Sequence, residues 1–319
     1  MSAQHLLKLE GLSAQELTAL LDAAEALLPV AQRAQPPRRT LEGRLVAHLF
    51  FEDSTRTRLS FETAVARLGG RSITLTESGS STSKGETFLD TALNVEALGV
   101  DAIVVRTSLS GGAELLSKQL GCTVLNAGDG RHEHPTQGLL DCLTIRRALG
   151  KLAGLKVAIV GDIANSRVAR SALHALTTLG AQVRLVGPPT LVPGSFQHVA
   201  KYPDRVVISH DLDSQLDDLD AIMMLRIQLE RQAGSAIASD YRTQYGLTHQ
   251  RAKRLPEHCV VLHPGPVNRG VEVDDDVADD ARRSQILRQV THGVAVRMAV
   301  LEHCLLSAPT RGGFGTNPA

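Results

Sequence analysis

Residues 50–62 run Phe50-Phe51-Glu52-Asp53-Ser54-Thr55-Arg56-Thr57-Arg58-Leu59-Ser60-Phe61-Glu62, an apolar strand that passes into hydroxyl and guanidinium groups at a helix start. Exposed backbone N–H groups, the positive helix end, the hydroxyls of Ser54, Thr55 and Thr57 and the fork of Arg56 converge there, which describes a phosphate site. A serine-capped helix with solvated arginines is the plainer alternative, but two Thr-Arg pairs straight after a buried strand count against it. His134, followed by Pro135, is on its own a helix-start residue making a structural hydrogen bond. Lys84, in a stretch of serine and glycine, is on its own a solvated lysine. His132-Glu133-His134 is too tight for a metal triad, and no metal is expected. The turn at Gly161-Asp162 lacks the glycines of a dinucleotide site, so no cofactor is expected. The acidic stretch at 272–280 lacks calcium-loop spacing and reads as a solvated turn leading into a helix.

Further segments extend the first one in a particular order. Ser54-Thr55-Arg56-Thr57-Arg58 is followed by Ser80-Ser81-Thr82-Ser83-Lys84-Gly85-Glu86-Thr87, by Arg106-Thr107 and by His134-Pro135-Thr136-Gln137-Gly138-Leu139-Leu140-Asp141. Then come Gly161-Asp162 with Arg167, Arg226-Ile227-Gln228, and His263-Pro264-Gly265-Pro266-Val267-Asn268-Arg269-Gly270. This series resembles the motifs of the aspartate and ornithine carbamoyltransferase family, and its order makes chance similarity very improbable. The ornithine enzymes typically carry His-Cys-Leu-Pro and Ser-Met-Gly segments. Here the first reads His263-Pro264-Gly265-Pro266 and the second is absent, whereas Arg167, Arg226 and Gln228 offer donors suited to a substrate with two carboxylates.

The resemblance is therefore to the aspartate branch. It implies transfer of a carbamoyl group from carbamoyl phosphate to L-aspartate, giving N-carbamoyl-L-aspartate and phosphate, the second step of pyrimidine (UMP) synthesis. Ser54, Thr55, Arg56 and Thr57 would bind the phosphate; Thr57, Arg106 and His134 would reach the carbonyl oxygen. Gln137 and the backbone around Gly265 and Pro266 would hold the carbamoyl amino group, while Lys84, Arg167, Arg226 and Gln228 would face the aspartate. The resemblance also implies a homotrimer, with Lys84 and either Ser80 or Ser81 crossing from a neighbouring subunit, and leaves open a larger assembly with a dihydroorotase-like or regulatory chain. Glu52 would bridge to Arg167 or Arg231 as two domains close on aspartate. Two rivals stand beside this reading: a carbamoyltransferase for another amino acid such as ornithine, and a catalytically silent scaffold subunit.

The elements that must position these residues follow from periodicity. Ser13 and Glu16 form a capping box before an apolar stripe at Leu17, Leu20, Leu21, Ala24, Leu27 and Leu28, a helix region expected to end at Pro36-Pro37. Short β-rich runs at 45–51, 72–76, 102–106 and 123–125, then at 156–160, 183–186, 206–209, 221–225 and 259–262, alternate with helical patterns. That alternation implies an α/β fold of two doubly wound parallel-sheet domains. A helical stretch at 135–150 separates them, and a helix at about 284–306 returns to the first. The expected division is a carbamoyl-phosphate domain at 1–149 plus about 288–319 and an aspartate domain at 150–287, with a disordered tail from 310.

Composition bounds the rest. The 319 residues carry 34 basic and 34 acidic side chains, which argues against a polyanion-coating protein, and an aromatic content of 3% argues against stacking platforms for single-stranded nucleic acid. No nucleic-acid or membrane partner is expected, since no segment approaches a membrane span or a signal peptide. Four scattered cysteines, Cys122, Cys142, Cys259 and Cys304, read as reduced thiols in a cytoplasmic protein.

Overall fold

The structure, a computed structural model, describes residues 4–76, 86–227 and 235–307. Ser80, Ser81, Lys84, Gln228, Arg231 and the tail from 310 lie outside the described residues.

The first sheet takes the order β2-β1-β3-β4, all parallel, from β1 (Leu45–Phe50), β2 (Arg71–Thr76), β3 (Ala102–Thr107) and β4 (Thr123–Asp129). Its helices are α1 (Ala14–Ala31), α2 (Thr55–Arg67), α3 (Phe88–Ala97) and α4 (Gly112–Gln119). Helix α5 (Pro135–Leu149) leads out of it and ends on Gly150, whose φ of 79° closes the helix without a Cβ penalty. The second sheet, order β7-β6-β5-β8-β9, is also parallel and comprises β5 (Lys156–Val160), β6 (Gln182–Val186), β7 (Val206–Ser209), β8 (Ala221–Met224) and β9 (Val260–Leu262). Around it lie α6 (Arg167–Thr178), α7 (Ser235–Tyr245), α8 (His249–Arg254) and α9 (Asp275–Ala278). Helix α10 (Ile286–Ser307) then returns to pack on α1, α2 and α5.

Continuous apolar runs explain the two-sided burial of these strands: Ile103, Val104 and Val105 in β3 and Val157 to Val160 in β5 are all fully buried. Helix α1 begins at the expected capping box but ends at Ala31, before Pro36. Arg33 adopts a left-handed φ of 65°, and the Ala34 and Arg33 N–H groups donate to the Pro29 and Val30 carbonyls at 2.8 and 3.1 Å. This Schellman closure stops the helix without a proline and places an arginine where glycine is usual. Strand β4 runs past the expected 125 because Asn126 and Asp129, though polar, are buried and bonded to each other at 2.8 Å.

His48, in β1, is fully buried; its Nε2 lies 3.1 Å from Ser72 Oγ on β2 and its Nδ1 has no partner. Burial pushes its pKa to about 4. The folded state therefore keeps it neutral while the unfolded chain takes a proton below 6.5, so its contribution to stability is lost as pH falls from 6.5 toward 4. In urea unfolding at pH 7 and pH 5, the native chain should lose ~2 kcal/mol more than a His48→Gln variant. Equal losses would contradict the assignment.

Candidate active site

Loops at the carboxyl ends of β1, β3, β4, β5, β8 and β9 meet around one cavity of about 730 Å³, the position where open parallel sheets present their binding crevices. Ser54, Thr55, Arg56, Thr57, Arg106, His134, Gln137, Arg167, Arg226, Gly265 and Pro266 all line it. The segments expected from sequence to act together are thus brought together, apart from Lys84 and Gln228, which the described residues do not include.

Helix capping sets the start of α2 apart from several other helices. Ser13, Thr87, Ser166 and Thr248 each accept a backbone N–H at the starts of α1, α3, α6 and α8. Ser54 has the same chemistry at the start of α2 yet makes no capping bond, its backbone turned to φ −162° and ψ 86°. His134 heads α5 without a side-chain cap as well. The first turn of α2 thus lines the cavity with no side-chain cap at its start, as an anion site requires.

Guanidinium groups surround that point. Burial, and then Arg167, pushes Arg106 down to about 9, with Glu52 acting in the opposite direction. Burial and Arg226 lower Arg56. Arg297, buried on α10 with its Nη1 3.0 Å from Ser60 Oγ and its guanidinium over the Phe61 ring, is lowered to about 10 by burial. Such mutual repulsion in a sheltered cavity is relieved by a bound anion. Glu52 Oε2 accepts from Arg167 Nη2 at 2.8 Å and stands 3.5 Å from Arg106 Nε, so the Glu52–Arg167 bridge expected from sequence is present. Glycine lets the arginines lie against the backbone at two places. A Cβ at Gly128 would come 3.0 Å from Arg167 Nε, and one at Gly265, where φ is 66°, 3.0 Å from Arg56 Cζ.

His134 is buried, and its pKa lies well below 6.5 because of burial first and Arg106, Arg297 and Arg167 next. Its imidazole is neutral. Its backbone N–H donates to Ser171 Oγ at 2.8 Å, and Ser171 Oγ donates to Glu133 Oε2 at 2.8 Å. Glu133 also accepts from Leu9 N and Glu10 N at 2.8 and 2.9 Å. Ser171 sits one turn beyond Arg167 on α6, so one face of that helix carries a cavity arginine and anchors the start of α5.

Sequence reasoning passed over Ser171 and Arg297, whose patterns are those of ordinary surface residues, and weighed Glu133 only as a metal ligand. The acidic stretch at 272–280 is not solvated throughout: Glu272 is fully buried and accepts from Ile227 N, Asn268 N and Asn268 Nδ2 at 2.7, 2.8 and 2.7 Å. It fixes the chain beside Arg226, and the short helix α9 comes next in the chain. Asp162 closes the β5–α6 turn by accepting from Asn165 N at 3.1 Å. Among the described residues, no group of three or more His, Cys, Asp or Glu side chains is placed to hold a metal ion.

Comparison with known proteins gives two family matches. Residues 4–147 match the aspartate/ornithine carbamoyltransferase carbamoyl-P binding domain, and residues 153–304 the Asp/Orn binding domain of the same family. The chain is 50% identical over 300 residues to an aspartate carbamoyltransferase catalytic subunit of Granulibacter bethesdensis, covering 93% of each. It is 31% identical, with a TM-score of 0.84, to aspartate transcarbamoylase from Trypanosoma cruzi in complex with carbamoyl aspartate and phosphate, covering 95% of this chain and 96% of that one. It is 30% identical, with a TM-score of 0.86, to ornithine carbamoyltransferase from Pyrococcus furiosus, covering 97% and 99%. Backbone shape is thus common to both branches, while the relative at 50% identity is an aspartate carbamoyltransferase catalytic subunit.

The Gly265 contact has a direct consequence. Gly265→Ala strains a left-handed residue by ~1–3 kcal/mol and pushes Arg56 off its seat. Calorimetry with inorganic phosphate should show binding weakened about tenfold, ~1.4 kcal/mol, with the fold retained by circular dichroism. Unchanged affinity would mean that Arg56 does not bind the anion.

Proposed function

The chain belongs to the aspartate/ornithine carbamoyltransferase family, and from that membership we propose how its cavity works on carbamoyl phosphate and L-aspartate. It is an aspartate carbamoyltransferase, forming N-carbamoyl-L-aspartate and phosphate for pyrimidine synthesis. The single observation that carries the site reading is the uncapped start of α2 facing a cavity lined by Arg56, Arg106, Arg167 and Arg226.

The amino group of aspartate attacks the carbonyl carbon of carbamoyl phosphate, a tetrahedral intermediate forms, and the C–O bond to phosphate breaks as the amine loses its proton. Ser54, Thr55, Arg56 and Thr57, with the α2 amides, bind the phosphate and meet its growing charge. Thr57, Arg106 and His134 converge on the carbonyl oxygen. A neutral imidazole has one N–H, and Nδ1 of His134 is sealed without a partner, so the Nε2–H tautomer supplies the donor. Gln137 and the backbone at Gly265 and Pro266 hold the carbamoyl amino group. Arg167 and Arg226, together with Gln228, take the two carboxylates of aspartate, and Glu52 orients Arg167. In this reading, residues 1–149 with 288–319 form the carbamoyl-phosphate domain and 150–287 the aspartate domain.

Lys84, with Ser80 or Ser81, completes the site from a neighbouring subunit of a homotrimer. Four buried free cysteines support a reducing, cytoplasmic setting, and no helix among the described residues is long and apolar enough to cross a membrane.

Arg56→Ala and His134→Ala should each lower kcat about 100-fold or more, the scale of losing one oxyanion donor. Arg226→Ala should chiefly raise the KM for aspartate, with ornithine unreactive in parallel assays. Comparable minor effects from all three would overturn the site map. Native mass should give a trimer or a multiple of one, and mixing Lys84→Ala with Arg56→Ala chains should restore activity that neither has alone. Failure of that mixing would overturn the shared site.

A further inference from the structure

Asp141 and Gln289 are buried polar residues to which the reaction scheme gives no part. They lie on α5 and α10 and join the two sides of the cavity that meet the carbamoyl amino group. Asp141 Oδ1 accepts from Gln137 Nε2 at 2.9 Å and from Gln289 Nε2 at 2.7 Å. Gln289 Oε1 accepts from His263 N at 2.9 Å, and His263 Nδ1 accepts from Gly265 N at 2.8 Å.

The polarity of this chain of bonds is fixed from one end. A backbone N–H can only donate, so the His263 amide obliges Gln289 to present its oxygen there and its NH2 group to Asp141. Asp141 Oδ1 must then accept, and it accepts a second NH2 from Gln137. With its donor end committed, Gln137 has its carbonyl oxygen left for the cavity it lines. That matters because arginines among its lining crowd the cavity with donors, whereas a carbamoyl NH2 needs an acceptor. The Gly265 amide, obliged to donate in the same way, fixes His263 with Nδ1 unprotonated and anchors the loop opposite Gln137.

We propose that Asp141, with Gln289 behind it, is a positioning residue that turns the Gln137 carboxamide oxygen toward the cavity and ties it to the 263–266 loop, so that the acceptors for the carbamoyl amino group are built as one unit. This rests on the carbamoyl-phosphate reading of the cavity. The pair acts on the carbamoyl group and leaves the phosphate contacts alone, which separates it from a general structural role.

The test compares equilibrium binding of carbamoyl phosphate with that of inorganic phosphate, alongside steady-state kinetics. Asp141→Leu should weaken carbamoyl phosphate binding about tenfold while leaving inorganic phosphate within twofold. Asp141→Asn, which retains an acceptor oxygen, should restore most of the loss. Gln137→Ala should match Asp141→Leu, and the double variant should be no worse than the more affected single variant, because both act through one carboxamide. If Asp141→Leu does not fold, Gln289→Leu carries the same comparison one bond further out. Additive losses, or equal losses for the two ligands without rescue by asparagine, would overturn the proposal. A native chain that binds carbamoyl phosphate but does not carbamoylate aspartate would overturn the proposed reaction instead, and the binding comparison would still decide the role of Asp141.

Discussion

The constraint on which the rest of this structure depends is the gathering of arginines in one sheltered cavity. Arg56, Arg106, Arg167, Arg226 and Arg297 line it, and Arg106 and Arg297 are pushed down to about 9 and about 10 mainly by burial. Placing such groups together is unfavourable unless the scaffold holds them by other contacts. Two parallel sheets supply that rigidity, because their central strands are locked by two-sided apolar burial while the loops after them carry the charge. Glu52 offsets Arg106 and Arg167, and an anionic ligand adds to that counter-charge. An anion arriving there exchanges its hydration for donors that are already oriented, which is the electrostatic basis of stabilising a departing phosphate.

Acidic residues act in this fold as joints between segments. Glu133 gathers two N-terminal amides and the Ser171 hydroxyl, and Ser171 in turn holds the amide of His134. Glu272 gathers Ile227 N and the Asn268 amides beside Arg226. Glu52 spans from the loop after β1 to Arg167 on α6. In each case the carboxylate satisfies donors from segments distant in sequence, so much of its charge is consumed locally.

Two of those joints, Glu133 and Glu272, are also where sequence reading fell short, and the reason is physical. Central strand positions were legible because a strand buried on both faces must be a short apolar run, as at Ala102–Thr107 and Lys156–Val160. The cavity-lining positions of Ser54 to Thr57 and His134 were legible because their order along the chain matches a family pattern. Helix ends were less so: α1 stops through a left-handed Arg33, and no local rule favours arginine there. Glu133, Glu272, Asp141 and Arg297 were illegible as buried groups because polar burial is decided by partners far away in sequence. Glu272 is the clearest case, since its neighbours Asp274, Asp275 and Asp276 pair with or border solvent while it alone turns inward.

Substrate choice within a shared backbone must be decided by charge at the far end of the cavity. A relative that handles ornithine has the same fold, so shape alone cannot exclude that amino acid. The aspartate side chain ends in a carboxylate and is drawn by a positive field; the ornithine side chain ends in an ammonium group and would be repelled by the same field. In the proposed site Arg167 is one source of that field, partly offset by Glu52 at 2.8 Å. Arg226 is the other source in that proposal, and beside it runs the segment that Glu272 holds. A carboxylate turned toward the cavity at that point would favour an ammonium group, but both oxygens of Glu272 are taken by the Ile227 and Asn268 donors. The same three bonds that fix the backbone beside Arg226 thus keep a negative charge directed away from the place where aspartate must be told from a second ammonium group.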